Sequence, residues 1–185
     1  FLFFTIREPS YILYSAFITA YTLFQLTLNG LAFQYLWPNS IWWANNCLPF
    51  FMAVIAFFCA FFFRVYLQTS RHYRKIDRFV LIALILPSMV LCVATLVIPY
   101  KYGIKIATIN SMFFAFTLVP LAAYQAAKGS RVARFFLIGW TGLMLGIAAY
   151  TLKTFAVLPV NAVTTWSIQI GSSLMVVLVS LGLGD

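Results

Sequence analysis

The sequence predicts an all-α integral membrane protein, an up-and-down bundle of transmembrane helices, and three observations carry that prediction. Of the 185 residues, 64% are hydrophobic and only 8% are charged. Soluble domains carry about 25% charged residues, so this chain lacks the polar surface to cover a water-soluble globule. Apolar runs such as Leu48–Leu67 and Phe79–Ile98 each hold about 20 residues, and at about 1.5 Å of rise per residue they match the roughly 30 Å hydrocarbon core. Backbone amides in lipid meet no water, so each run must satisfy them internally, as a helix does.

Taken in order, the chain opens on FLFFTIREP (Phe1–Pro9). Its apolar start is too short to span, and Arg7-Glu8-Pro9 reads as a helix end and turn. Residues 1–9 are therefore expected to be the truncated end of a first span. A signal peptide fits poorly, because the charges follow the apolar part instead of preceding it. Six complete spans are expected across 10–185, at Tyr11–Phe33, Leu48–Leu67, Phe79–Ile98, Ile104–Tyr124, Phe135–Leu152 and Val163–Leu183. With the opening remnant, the full protein is expected to have seven. Loops of roughly 4 to 15 residues allow only neighbouring antiparallel helices, so 1–185 reads as one transmembrane domain. Pro87 falls mid-span, and Pro49 and Pro120 fall nearer span ends, where each should bend or loosen its helix. Gly142 and Gly146 form a GxxxG within GLMLG, suited to close helix approach inside the bundle or at a dimer seam.

The loops predict an orientation. One set holds Arg7, Arg64, Arg71, Arg74, Lys75, Arg78, Lys128, Arg131 and Arg134, nine of the twelve Lys and Arg residues. The opposite set holds Lys101, Lys105 and Lys153. By the positive-inside rule the larger set is cytoplasmic. The other side carries LWPNSIWWANN (Leu36–Asn46), IPYKYG (Ile98–Gly103) and Trp166, whose indole and phenol rings suit a water–lipid boundary. The last helix is then expected to emerge into the cytoplasm at Asp185, on the face opposite the start of the truncated first helix.

Composition also excludes function classes. The net charge of +9 sits in short loops between spans, where topology accounts for it and nucleic acid does not. A metal-dependent hydrolase needs clustered His and carboxylates, whereas this chain has one His and three acids. That histidine, His72, lies in the basic loop RHYRKIDR (Arg71–Arg78), which reads as a topology anchor and a partner for anionic lipid. No Ser, His and Asp arrangement can be assembled around it. Cys47, Cys59 and Cys92 have neither metal spacing nor a disulfide framework and read as small buried hydrophobes. No catalytic, metal or cofactor site is expected.

The polar residues that enter the spans concentrate in the predicted outer half. Gln25, Asn29, Lys105, Asn110, Lys153 and Gln169 come from four helices at one depth and could form a ligand pocket open to the outside. The plainer reading is that the lysines snorkel to the interface and the amides bond across helices. The inner half offers mainly Ser, Thr and Gln125, while Arg64 is expected to snorkel to cytoplasmic headgroups. A transporter or channel bundle is the alternative, but every span centre lacks an ionisable residue and no internal repeat is visible.

Several stretches resemble a known family. They are REPSYILY (Arg7–Tyr14), NGLAFQYLWPN (Asn29–Asn39), GSRVARFFLIGW (Gly129–Trp140), LPVN (Leu158–Asn161) and QIGSSLMVVLVSLGLGD (Gln169–Asp185). In order and spacing the chain resembles the bacterial seven-transmembrane receptors with diverse intracellular signalling modules (7TMR-DISM), along essentially its whole length. One departure is Met175, where many members carry Glu after the Gly-Ser of the final span. The resemblance implies a sensor in the bacterial inner membrane. It also implies an extracytoplasmic ligand-binding domain before the first span and a cytoplasmic output module after the last, such as a diguanylate cyclase or histidine kinase. Dimerisation is implied likewise. In that scheme this chain relays a stimulus and is not itself an enzyme. Its last helix, with Gly171, Ser180, Gly182, Gly184 and Asp185, is the expected relay.

Overall fold

A computed structural model describes residues 9–66 and 74–184. Every regular element among them is a helix. They are α1 (Pro9–Leu28), α2 (Leu31–Tyr35), α3 (Ile41–Tyr66), α4 (Arg74–Val80), a π-helical turn (Leu81–Ile85), α5 (Leu86–Ala94), α6 (Tyr100–Ala127), α7 (Arg131–Thr154), α8 (Ala162–Thr165) and α9 (Ser167–Gly184). Among the described residues, four helical stretches are long and apolar enough to cross a membrane: Ile41–Val65, Asp77–Ala94, Tyr100–Ala127 and Ala133–Tyr150. Ile12–Leu28 and Ser167–Gly182 are shorter apolar helices. The all-α membrane bundle is thus the observed class, and four of the six expected spans meet that measure among the described residues. Residues 1–8, His72 and Asp185 lie outside the described residues.

Element boundaries differ from the sequence expectation by a few residues throughout, and at two of them the local reason is plain. The first expected span stops at Leu28 and not at Phe33, because Gly30 takes φ of 75°, which a residue with a Cβ rarely adopts. Asn29 seals that end by donating from Nδ2 to the Gln25 carbonyl at 2.7 Å. The second span begins at Ile41, so Trp42 and Trp43 belong to α3 and Pro49 sits within it. The last expected span is interrupted at Trp166. Asn161 and Thr164 form a reciprocal capping box around the single turn of α8, and α9 starts afresh at Ser167.

Near Pro87, where a bend or loosening was expected, the helical ladder changes form. Proline lacks the amide that would bond the carbonyl four residues back, and its ring crowds that carbonyl. The π-helical turn Leu81–Ile85 stands immediately before it, widening the ladder where α-helical spacing would clash.

The chain divides within α6 into two compact units, Phe1–Phe116 and Thr117–Asp185. In the first, α1 lies along α3, with Tyr14, Phe17 and Ala20 buried at helical spacing and Tyr14 meeting Phe62 at 5.4 Å between ring centroids. Ala53 of α3, Leu91 of α5 and Ala107 of α6 form a small buried cluster. Around the α2–α3 corner, Trp37 approaches Trp43 edge-on at 6.1 Å and stacks near Phe51 at 6.3 Å. In the second unit, α7 and α9 run antiparallel in close contact. Gly129, with φ of 95°, precedes α7, and Ser130 caps it by accepting from the Ala133 amide at 3.3 Å.

Candidate functional site

The six polar residues singled out from the sequence are divided between the units. Gln25, Asn29, Lys105 and Asn110 belong to the first, and Lys153 and Gln169 to the second. On α1, Gln25 donates from Nε2 to the Tyr21 hydroxyl oxygen at 2.6 Å. Asn29 is exposed just past the end of α1 and bonds back to the Gln25 backbone. Lys105 is exposed on α6. Asn110, on the same helix, turns elsewhere and donates from Nδ2 to Ser88 Oγ at 3.2 Å. Ser88 is fully buried on α5, so this bond ties two helices through apolar surroundings. Among these four, the structure brings together Gln25 and Asn29 through backbone and Asn110 with Ser88.

In the second unit, Lys153 Nζ reaches Thr165 Oγ1 at 3.4 Å and lies 5.0 Å from the centroid of the Tyr150 ring. These contacts join the end of α7 to α8 and keep the ammonium beside polar and aromatic partners. Gln169 is half-buried, and its Oε1 is a buried acceptor without a hydrogen bond among the described residues. Trp37 Nε1, Gln125 Nε2 and Trp140 Nε1 share that condition.

The expected relay residues fall along α9. Gly171 is buried at its crossing with α7, Ser180 is exposed, Gly182 is buried and Gly184 closes the helix. A methyl carbon on Gly171 would lie 2.7 Å from the Gly142 carbonyl oxygen and 3.1 Å from Leu143 Cα. From the other side, one on Gly146 would lie 2.4 Å from the Ser167 carbonyl oxygen. One on Gly139 would lie 3.1 Å from Met175 Cα. The GxxxG of α7 is therefore used inside the unit, against the last helix. Met175, where the sequence departs from the resemblance, is a buried residue facing Gly139.

Sequence reasoning missed one prominent polar contact. Arg64 does not simply reach for headgroups, because its Nε and Nη2 donate to Asp77 Oδ1 and Oδ2 at 2.6 and 3.1 Å. The side chains are 29% and 12% exposed. This two-pronged pair closes the end of α3 onto α4. Its only sequence signal was an acid and a base flanking one basic loop, and no periodicity links residues across a loop.

The family model described as 7TM diverse intracellular signalling matches residues 1–185. No curated protein and no solved structure matches the chain.

Proposed function

Because the chain belongs to the 7TM diverse intracellular signalling family, we propose that it is the membrane part of a receptor that relays an extracytoplasmic stimulus to a cytoplasmic effector through its last helix. The match over all 185 residues carries this reading. An outside event shifts helix packing between arrangements a few kcal/mol apart, and the end of α9 passes the shift to the output module. The catalytic chemistry then belongs to that module, a diguanylate cyclase or histidine kinase, and the receptor works as a homodimer in the bacterial inner membrane.

This reading requires the basic loop Arg71–Arg78 and the segment Lys128–Arg134 to face the cytoplasm, with Lys101 outside. Charge asymmetry supports that arrangement. Topology reporters inserted near Ser70 and near Lys101 test it. The first is expected inside and the second outside, and the reverse result would remove the receptor reading.

Taking each unit by itself, outer-half polar residues are proposed as positions that contact a ligand: Gln25, Asn29, Lys105 and Asn110 in the first, and Lys153 and Gln169 in the second. The unsatisfied Gln169 oxygen supports this. Alanine at Gln25, Asn110 or Gln169 in the full receptor is expected to change stimulus-dependent output while folded protein persists. Loss of the Asn110–Ser88 bond costs only about 0.6–1.7 kcal/mol in a membrane setting. Unaltered output in all three variants would dismiss these contacts.

A further inference from the structure

The α7–α9 contact limits how the last helix can move. At three levels along the crossing, backbone of one helix fills the space that a side chain of the other would need. Gly146 sits against Ser167, Gly142 and Leu143 against Gly171, and Gly139 against Met175. These pairs descend one helix as they climb the other, as a continuous antiparallel seam requires. Turning α9 about its own axis by one residue, about 100°, would bring Ile170 or Ser172 to the place of Gly171. Their Cβ atoms would then meet the Gly142 carbonyl and Leu143 Cα. Sliding α9 by one turn, about 5.4 Å, would put Ser167 or Met175 there instead. Neither alternative register has a glycine to receive the opposing backbone, and packed interiors do not deform continuously to make room.

The geometry points to α7 as part of the output element: α7 and α9 move as one two-helix body, and the last helix does not rotate or slide against its neighbour. This rests on the receptor reading for its functional meaning, though the mechanical claim stands without it. Two contacts outside the seam reinforce the lock. Lys153 at the end of α7 holds Thr165 of α8, and Ser167 Oγ donates to the Thr164 carbonyl at 3.0 Å, joining α8 to α9. A stimulus that moves α9 therefore also moves the Arg131–Arg134 end of α7. The output module would meet a pair of helices and their basic edge in place of a single helix.

Spin labels at Leu145 on α7 and Ile170 on α9, which are 72% and 55% exposed, test this in the intact chain reconstituted in lipid nanodiscs. Distances are measured by pulsed electron resonance in thin and in thick bilayers, because thickness changes force spans to tilt or shift. One narrow distance distribution with the same mean in both bilayers is expected. Two populations, a broad distribution, or a shift of about 1.5 Å or more, the rise of one residue, would overturn the lock. Gly171→Val, which pries the seam apart, is expected to lengthen and broaden the distribution. If it leaves the distribution unchanged, the glycine seam is not what holds the pair. The readout uses no signalling output, so failure of the receptor reading would appear in the topology reporters and not here.

Discussion

Gly171→Val is expected to destabilise the protein by about 3 kcal/mol or more, the upper range for overpacking a core. The reason is geometric. The first added carbon would lie 2.7 Å from the Gly142 oxygen and 3.1 Å from Leu143 Cα, and both are main-chain atoms. No rotamer relieves a clash at Cβ itself, so the helices must separate and lose contact along the whole seam. The glycines should therefore rank by what an alanine carbon would meet. Gly146→Ala and Gly171→Ala meet backbone and should be the most damaging. Gly142→Ala approaches Leu174 Cδ2 at 2.9 Å, the movable tip of a side chain, and should cost less. Gly103→Ala finds its nearest neighbour, Pro49 Cγ, at 3.7 Å. There the intrinsic helix preference of Ala over Gly, about 0.8–1 kcal/mol, should leave the protein unharmed or slightly stabilised. Thermal unfolding of this series in nanodiscs gives the order directly. Finding Gly171→Val as stable as Gly103→Ala would refute the seam.

The second large effect is expected at the Arg64–Asp77 pair. Removing one partner from a buried ion pair costs about 3–5 kcal/mol, because the remaining charge is left in a medium that solvates it poorly. With side chains 29% and 12% exposed, the pair keeps some water, so single replacements should cost less, about 2–3 kcal/mol. Arg64→Met should be the worse of the two, since it removes both guanidinium bonds from the more buried side chain. Asp77→Leu leaves a guanidinium on a long stem that can reach toward headgroups. The double variant Arg64→Met/Asp77→Leu should recover most of the loss, because two apolar groups of similar size can replace a buried pair at little cost. A double-mutant cycle measures the coupling. Additive single effects would show that the two side chains do not act as a unit.

Much of the architecture could be read before any coordinates. The apolar runs and the scarcity of charge pointed to membrane helices, and Pro87 marked the irregular stretch that the π-helical turn occupies. Boundaries were less legible where local turn chemistry overrode hydropathy. Asn29-Gly30 ends a helix inside an apolar run, and the Asn161–Thr164 capping box inserts an extra turn before α9. Hydropathy averages over many residues and does not register one left-handed glycine or one capping side chain. The polar residues within the spans were legible only as residue types at one depth. That Asn110 faces Ser88, that Asn29 bonds back to its own helix end and that Gln169 Oε1 has no donor among the described residues all depend on which face each helix turns to which neighbour.

By itself the sequence determined the solvent this protein is made for. A chain with 64% hydrophobic and 8% charged residues must satisfy its backbone internally in lipid, and apolar runs of about 20 residues do so as helices. Only the tertiary structure decided which helices are bound together and how tightly. Glycine is silent in a hydropathy pattern, and its meaning at Gly139, Gly142, Gly146 and Gly171 comes from the backbone that arrives opposite it.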